Sequence, residues 1–203
     1  MKQQIAQILL DSEAIFLRPE QPFTWASGIQ SPIYCDNRRV LAFPQARSQI
    51  KNALLDLVKN QQFDAIMGTA TAGIPMASLL ADALAKPLGY VRGSAKSHGR
   101  NNQIEGFNQK GAKVLLIEDL ISTGGSSIAA AQALREAGME VVLVAAIFSY
   151  NLAKAEQQFA AAQLSYQALS DFNQLIALAE SQGKIDASQA ERLKAFQRDP
   201  LNW

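Results

Sequence analysis

The sequence predicts an α/β protein built on a mostly parallel sheet with helices on both faces. Three observations carry that expectation. Short apolar, β-rich runs alternate with helix-period segments through residues 63–148. Runs such as "KVLLIED" and "EVVLVAAIF" are apolar at nearly every position, as strands buried on both faces are. The turns that follow two of the strands, "TATAG" and "STGGSS", are rich in glycine and hydroxyls, which suits strand-to-helix connections.

Taken in order, a helical pattern covers 3–16. A second covers 44–59, where Ala46, Ile50, Ala53, Leu54, Leu57 and Val58 form one apolar stripe and Pro44 suits the first turn. "FDAIMG" (63–68) reads as a strand, "TATAG" as a loop and 74–85 as a helix. A strand over 87–92 follows. The polar stretch 93–111 shows neither helical nor strand period and is long for a connection, which favours a functional loop. Then come a strand at 113–119, a helix at 126–138 ended by Gly138, and a strand at 140–148. Beyond Ser149 the pattern gives a helix, a short strand near "YQALS" and two further helices. Asp171 with Gln174, and Asp186 with Gln189, have capping-box spacing. This tail and the N-terminal helix are expected to form a small lobe, with hood elements at about 1–40 and 150–203 and a core at about 41–149.

A chain of 203 residues can bury one sizeable core, and 48% hydrophobic with 18% charged residues is a globular balance. The net charge of +1 supplies no general field for nucleic acid, so an electropositive site must be local. The single Cys35 excludes an internal disulfide framework. The N-terminus, "MKQQIAQILLDSEAIF", has the pattern of neither a secretory signal nor a membrane span. The expectation is a soluble cytoplasmic protein that binds neither nucleic acid nor membrane.

The stretch "VLLIEDLISTGGSS" (114–127) places Glu118 and Asp119 at the end of an apolar strand, just before a glycine- and hydroxyl-rich turn. In open parallel sheets ligands bind beyond the carboxyl ends of strands. Gly124 and Gly125 allow a close backbone approach, and the helix opening near Ser126 offers uncovered amides and a positive dipole end. The turn is not a Walker loop, lacking Gly-Lys-Ser/Thr, and its glycines have the wrong spacing for a dinucleotide fingerprint. Amides for a phosphate beside carboxylates for sugar hydroxyls fit a ribose 5-phosphate. A tight strand-to-helix turn with a polar N-cap is the competing structural reading.

The segment resembles the PRPP signature of the type I phosphoribosyltransferases. The resemblance implies that family's fold: a mostly parallel central sheet flanked by helices, with a small hood from the chain ends, in one domain over 1–203. It also implies that Ser122, Thr123, Gly124, Gly125 and Ser126 hold the 5-phosphate and that Glu118 and Asp119 meet the ribose hydroxyls, with Leu120 and Ile121 part of the same PRPP-binding run.

"YVRGSAKSHGRNNQIEG" (90–106) gathers Arg92, Lys96, His98 and Arg100 against Glu105 alone. A cationic loop suits closure over a polyanion, though a solvated basic loop has the same composition. Its Arg, spaced Lys and His-Gly resemble the catalytic loop of the orotate phosphoribosyltransferase family. That implies catalytic roles for Lys96 and His98, with Asp119, and PRPP contacts for Arg92, Lys96 and His98. By the same resemblance, 93–111 is a mobile loop.

"FTWASGIQSPIYCDNR" (23–38) resembles that family's nucleobase-pocket segment and implies pocket roles for Ser27, Gly28, Ser31 and Tyr34. Ser27, Tyr34 and Ser122 are the expected orotate contacts. Where some relatives carry a cation, this chain has Ala26, Gln30 and Gly93. "GTATAGIP" (68–75) is similar to the family's diphosphate loop.

The implied reaction joins orotate to PRPP, giving orotidine 5-monophosphate and diphosphate in de novo pyrimidine biosynthesis. Mg²⁺ is expected to arrive on PRPP, with no dedicated protein cage. A homodimer whose subunits share each active site is implied as well. The alternatives are a phosphoribosyltransferase for a purine or uracil and a non-catalytic PRPP-sensing regulator. The first should lack the Arg-Lys-His loop, and the second should carry a basic nucleic-acid surface.

Overall fold

The computed structural model describes residues 1–24, 28–93 and 103–203. Helix α1 (Lys2–Asp11) opens the chain and stops short of the expected end at Phe16. Ser12 turns its hydroxyl back onto the Ile8 carbonyl at 2.7 Å, and Glu13 takes a left-handed φ of 50°. The residues that prolonged the helical period instead form β1 (Ile15–Leu17). A short hairpin follows, β2 (Phe23–Thr24) and β3 (Gln30–Ser31), and then β4 (Ile33–Cys35), which pairs antiparallel with β1. A 3₁₀ turn (Asn37–Ala42) leads into α2 (Pro44–Val58), with Pro44 in its first turn.

The core alternates as expected through β5 (Ala65–Thr69), α3 (Ile74–Leu84), β6 (Leu88–Val91), β7 (Ile104–Gly106), β8 (Lys113–Ile121), α4 (Gly125–Glu136) and β9 (Glu140–Ser149). It continues through α5 (Ala153–Ala161), β10 (Tyr166–Asp171), α6 (Phe172–Ser181) and α7 (Ala187–Arg198). Among the described residues the central sheet has the order β10-β9-β8-β5-β6-β7, parallel except for β7.

Side chains of β8 alternate between the two faces. Leu115 and Ile117 join a core with Ile5 of α1, Leu54 of α2, Leu80 of α3, Leu175 of α6 and Phe196 of α7. Val114 and Leu116 join the opposite core with Leu134 of α4 and Phe159 of α5. Both faces are therefore dry, which is why the strands read as continuous apolar runs.

Strand β7 corrects the expectation that 93–111 has no regular structure. Ile104 is buried and registers against Val91, so the end of that stretch is an antiparallel edge. Three residues are too few to show a period in sequence. Strand β8 also runs two residues past the expected 119, to Ile121, because Leu120 and Ile121 pair with Phe148 and Ser149.

At the other edge, β10 of the C-terminal tail lies parallel to β9, and α1 packs on α6 and β10 with Lys2 Nζ 2.8 Å from Asp171 Oδ2. The lobe expected from the two chain ends thus shares a strand with the core sheet. Asp171 caps α6 by accepting from the Gln174 amide at 3.0 Å. The reciprocal capping box is complete at Asp186 and Gln189.

The connections reverse direction between β5 and β8: one neighbour chain runs on to β6, the other to β9. The carboxyl ends of β5 and β8 flank that switch point, where open α/β sheets place their ligands.

Candidate active site

Two loops meet at the switch point. After β5 the chain turns through 70–73, the Ala70–Thr71 peptide being cis, and the Gly73 amide returns to the Thr69 carbonyl at 3.0 Å. Gly73 lies flat on β8. A Cβ there would sit 2.3 Å from the Ile117 carbonyl oxygen and 2.9 Å from the Thr69 backbone, so only glycine lets this loop reach the strand.

At the end of β8 the two acids differ in burial and lie close enough to act on each other. Glu118 is buried, and its Oε2 accepts from the hydroxyls of Ser126 and Ser127, both at 3.0 Å. Its Oε1 accepts from the Asp119 amide at 3.1 Å. Burial, then the charge of Asp119, push the Glu118 carboxyl up to about 7. Asp119 is only half-buried, and burial raises its pKa while the Arg38 charge pulls the other way. Of the pair, Asp119 is the more exposed to a ligand.

The turn 122–125 follows. Gly124 takes φ +86° at the N-cap of α4, and its Cα faces the Phe159 ring, which a Cβ would approach to 2.7 Å. No side chain caps this helix. Among the described residues the amides of Thr123, Gly124, Gly125 and Ser126 have no acceptor. Four such donors at a helix N-terminus form an anion cradle. The Ser126 hydroxyl, expected on a phosphate, is directed to Glu118 instead, so its contribution to the cradle is its amide.

The segment 28–38 forms the adjoining wall. Ser31 is buried and donates to the Ile33 carbonyl at 2.7 Å, which fixes the turn ahead of β4. Tyr34 is exposed, with its ring 5.5 Å from that of Phe23. The Trp203 indole donates to the Gln30 carbonyl at 2.9 Å, bracing the hairpin from the C-terminal side. Arg92 follows β6, its amide held by the Gln103 carbonyl at 2.8 Å and its guanidinium 3.8 Å from Glu105. Ser27, Lys96 and His98, together with Arg100, lie outside the described residues.

Two neighbours of Asp119 carry no role in the sequence reading. Asn37 donates to the Asp119 carbonyl at 2.7 Å. Arg38, exposed and paired with Asp36 at 2.6 Å, acts on Asp119 and Tyr34 by charge. Both residues sit in the "CDNR" end of the quoted pocket segment. Their proximity to a residue eighty positions on has no local signature.

Among the described residues no group of three or more His, Cys, Asp or Glu could hold a metal. No helix there is long and apolar enough to cross a membrane.

A model of the phosphoribosyl transferase domain family matches residues 37–173. The orotate phosphoribosyltransferase of Staphylococcus aureus (strain Mu50) is 51% identical over 99% of this chain and 100% of its own length. The chain belongs to the orotate phosphoribosyltransferase family. Among solved structures, the Aeropyrum pernix orotate phosphoribosyltransferase matches with a TM-score of 0.77 at 30% identity, over 90% of this chain and 99% of that one. The Leishmania donovani UMP synthase matches with a TM-score of 0.82 at 28% identity. There the match takes 97% of this chain but spans only 42% of that longer protein. Both solved relatives share the mostly parallel sheet flanked by helices that the alternating sequence pattern predicts.

Proposed function

We propose that this orotate phosphoribosyltransferase joins orotate to the ribose of PRPP, releasing diphosphate and forming orotidine 5-monophosphate. The observation that carries the reading is the pairing, at one switch point, of a half-buried carboxylate, Asp119, with the free amides of Thr123, Gly124, Gly125 and Ser126. The amides suit a 5-phosphate, and Asp119 suits the ribose hydroxyls. Glu118, buried and bonded by Ser126, Ser127 and the Asp119 amide, serves in building the loop.

Breaking the bond between the anomeric carbon and diphosphate builds positive charge on the ribose and negative charge on the leaving group. The chain's task is orientation and charge stabilisation rather than covalent catalysis. Arg92 stands at the end of β6, beside the loop after β5, where it can meet the leaving diphosphate. Lys96 and His98 are proposed to join it there. Tyr34, Ser27 and Ser122 are proposed to face the pyrimidine.

Asp119 is the partly exposed acid near the cradle, and a single such carboxylate fits a Mg²⁺ held chiefly by substrate oxygens and water. When bound, Mg²⁺ would draw negative charge from the diphosphate. A homodimer with shared sites and a cytoplasmic setting complete the proposal.

The test is the loss of orotate absorbance on adding PRPP, with and without a chelator, and with uracil, hypoxanthine and adenine in parallel. Orotate turnover that stops on chelation is the expected result. Turnover of another base but not orotate would overturn the specificity, and full activity in chelator would overturn the metal requirement.

A further inference from the structure

Asn37 is 2% exposed, and a buried carboxamide is costly unless both of its ends find partners. Here both do. Its Nδ2 donates to the Asp119 carbonyl at 2.7 Å, and its Oδ1 accepts from the Cys35 thiol at 3.3 Å. A carbonyl oxygen only accepts, so the amide has one workable orientation; turned over, it would set Oδ1 against the Asp119 oxygen. Burial pushes the Cys35 thiol pKa well up, which keeps its proton in place as the donor. The two bonds lock a side chain from the start of the 3₁₀ turn onto a peptide 82 positions away.

Position gives that lock its meaning. On one side Asn37 lies one residue, Asp36, beyond β4, which carries Tyr34. On the other it holds the peptide of the residue whose carboxylate faces the ribose side. The β4 segment and the β8 end belong to different sheets and share no strand pairing. A hydrogen bond between them sets the distance from the base wall to the ribose acid.

We propose that Asn37 is a positioning residue that holds Asp119, and through it the ribose of PRPP, in register with the base-facing β4 segment. The inference rests on the proposed phosphoribosyl transfer. Two substrates must meet at one carbon, and small misplacements of reacting groups are costly in rate. Asn37 touches neither substrate in this scheme; it acts through Asp119.

The discriminating variant is Asn37→Asp, nearly the same shape but with an acceptor where the Asp119 carbonyl needs a donor. PRPP affinity is read directly by calorimetry with Mg²⁺ present and no base, alongside kcat, both KM values and thermal stability. The expected result is a folded protein whose Kd for PRPP rises about tenfold and whose kcat also falls, the size expected for a buried hydrogen bond turned into an acceptor clash. A purely structural role would instead lower the melting temperature and the active fraction while leaving Kd and both KM values in place; that result overturns the proposal. So does a folded variant within twofold of wild type in Kd and kcat. Should Asn37→Asp fail to fold, Cys35→Ala decides, since it removes only the donor that orients the amide. A rise of roughly threefold in the PRPP Kd is then expected, and no change overturns the proposal. A wild-type chain that does not bind PRPP overturns the proposed activity and this inference with it. Normal wild-type binding with unaltered variants overturns this inference alone.

Discussion

Replacing Glu118 with glutamine should reverse the order of stability of the two proteins between mildly acidic and mildly alkaline pH. In the folded chain, burial and the neighbouring Asp119 hold the Glu118 carboxyl at about 7, against an ordinary value of 4.5. Unfolded chains therefore release this proton near 4.5, while folded ones keep it to about 7. Across that interval the unfolded state binds fewer protons, and stability falls as pH rises. The contribution is complete below the unfolded value and is lost once pH passes the folded one. The interval from 4.5 to about 7, at ~1.4 kcal/mol per unit, corresponds to a loss of about 3 kcal/mol.

Glu118→Gln cannot ionise, so that loss disappears. The amide oxygen still accepts from Ser126 and Ser127, but its NH₂ then faces the Asp119 amide, where Oε1 accepted a bond. One lost hydrogen bond costs about 1 kcal/mol at every pH. The variant should be about 1 kcal/mol less stable than wild type near pH 4.5 and about 2 kcal/mol more stable near pH 8. Urea unfolding followed by circular dichroism at fixed ionic strength, in steps across that range, reads the crossing. A difference between the two proteins that does not change with pH would mean that the folded chain does not hold the Glu118 proton above 4.5. So would a wild type that gains on the variant as pH rises.

Gly73→Ala should cost about 3 kcal/mol in urea unfolding, because its Cβ would press on the Ile117 carbonyl and the Thr69 backbone rather than on a movable side chain. Lys96→Ala should lower kcat more than it raises either KM, since a cation aimed at the leaving diphosphate matters most in the transition state; steady-state kinetics showing a pure KM effect would make it a ground-state anchor instead. Equal mixing of Lys96→Ala and Asp119→Asn subunits under verified exchange should restore about a quarter of wild-type activity if each site draws residues from both subunits. No recovery after exchange would place both residues in the same subunit's site.

The sheet and its ligand end were legible because their causes are local. Strands buried on both faces have to be apolar throughout, and "IED" followed by "STGG" is a conspicuous break in such a run. The direction of the Glu118 carboxylate was not legible. It is set by Ser126 and Ser127, which reach it only once α4 packs beside β8. Asn37 was invisible for the same reason, its partner lying 82 positions away. The helix predicted to Phe16 failed because Ile15 and Phe16 keep a helical period yet gain more by pairing with β4, and the break at Ser12 and Glu13 is read only from that pairing. Strand β7 was missed through brevity, its one buried side chain being Ile104.

The uncapped start of α4 has its cause in Gly124. Helices that begin after a hydroxyl-rich turn ordinarily satisfy their first amides with a Ser or Thr cap, worth about 1 kcal/mol. This chain has hydroxyls at Ser122, Thr123, Ser126 and Ser127, yet the N-cap is Gly124, which has no side chain to give. Ser126 and Ser127, which follow the N-cap, bond Glu118. The buried acid does more than occupy the strand end: it ties the first turn of α4 to β8, while the glycine N-cap leaves the amides of that turn open. Those same hydroxyl bonds make a buried carboxylate tolerable next to Asp119, whose charge opposes it. A bound anion at the amides would supply the missing cap, which is what the proposed 5-phosphate would do.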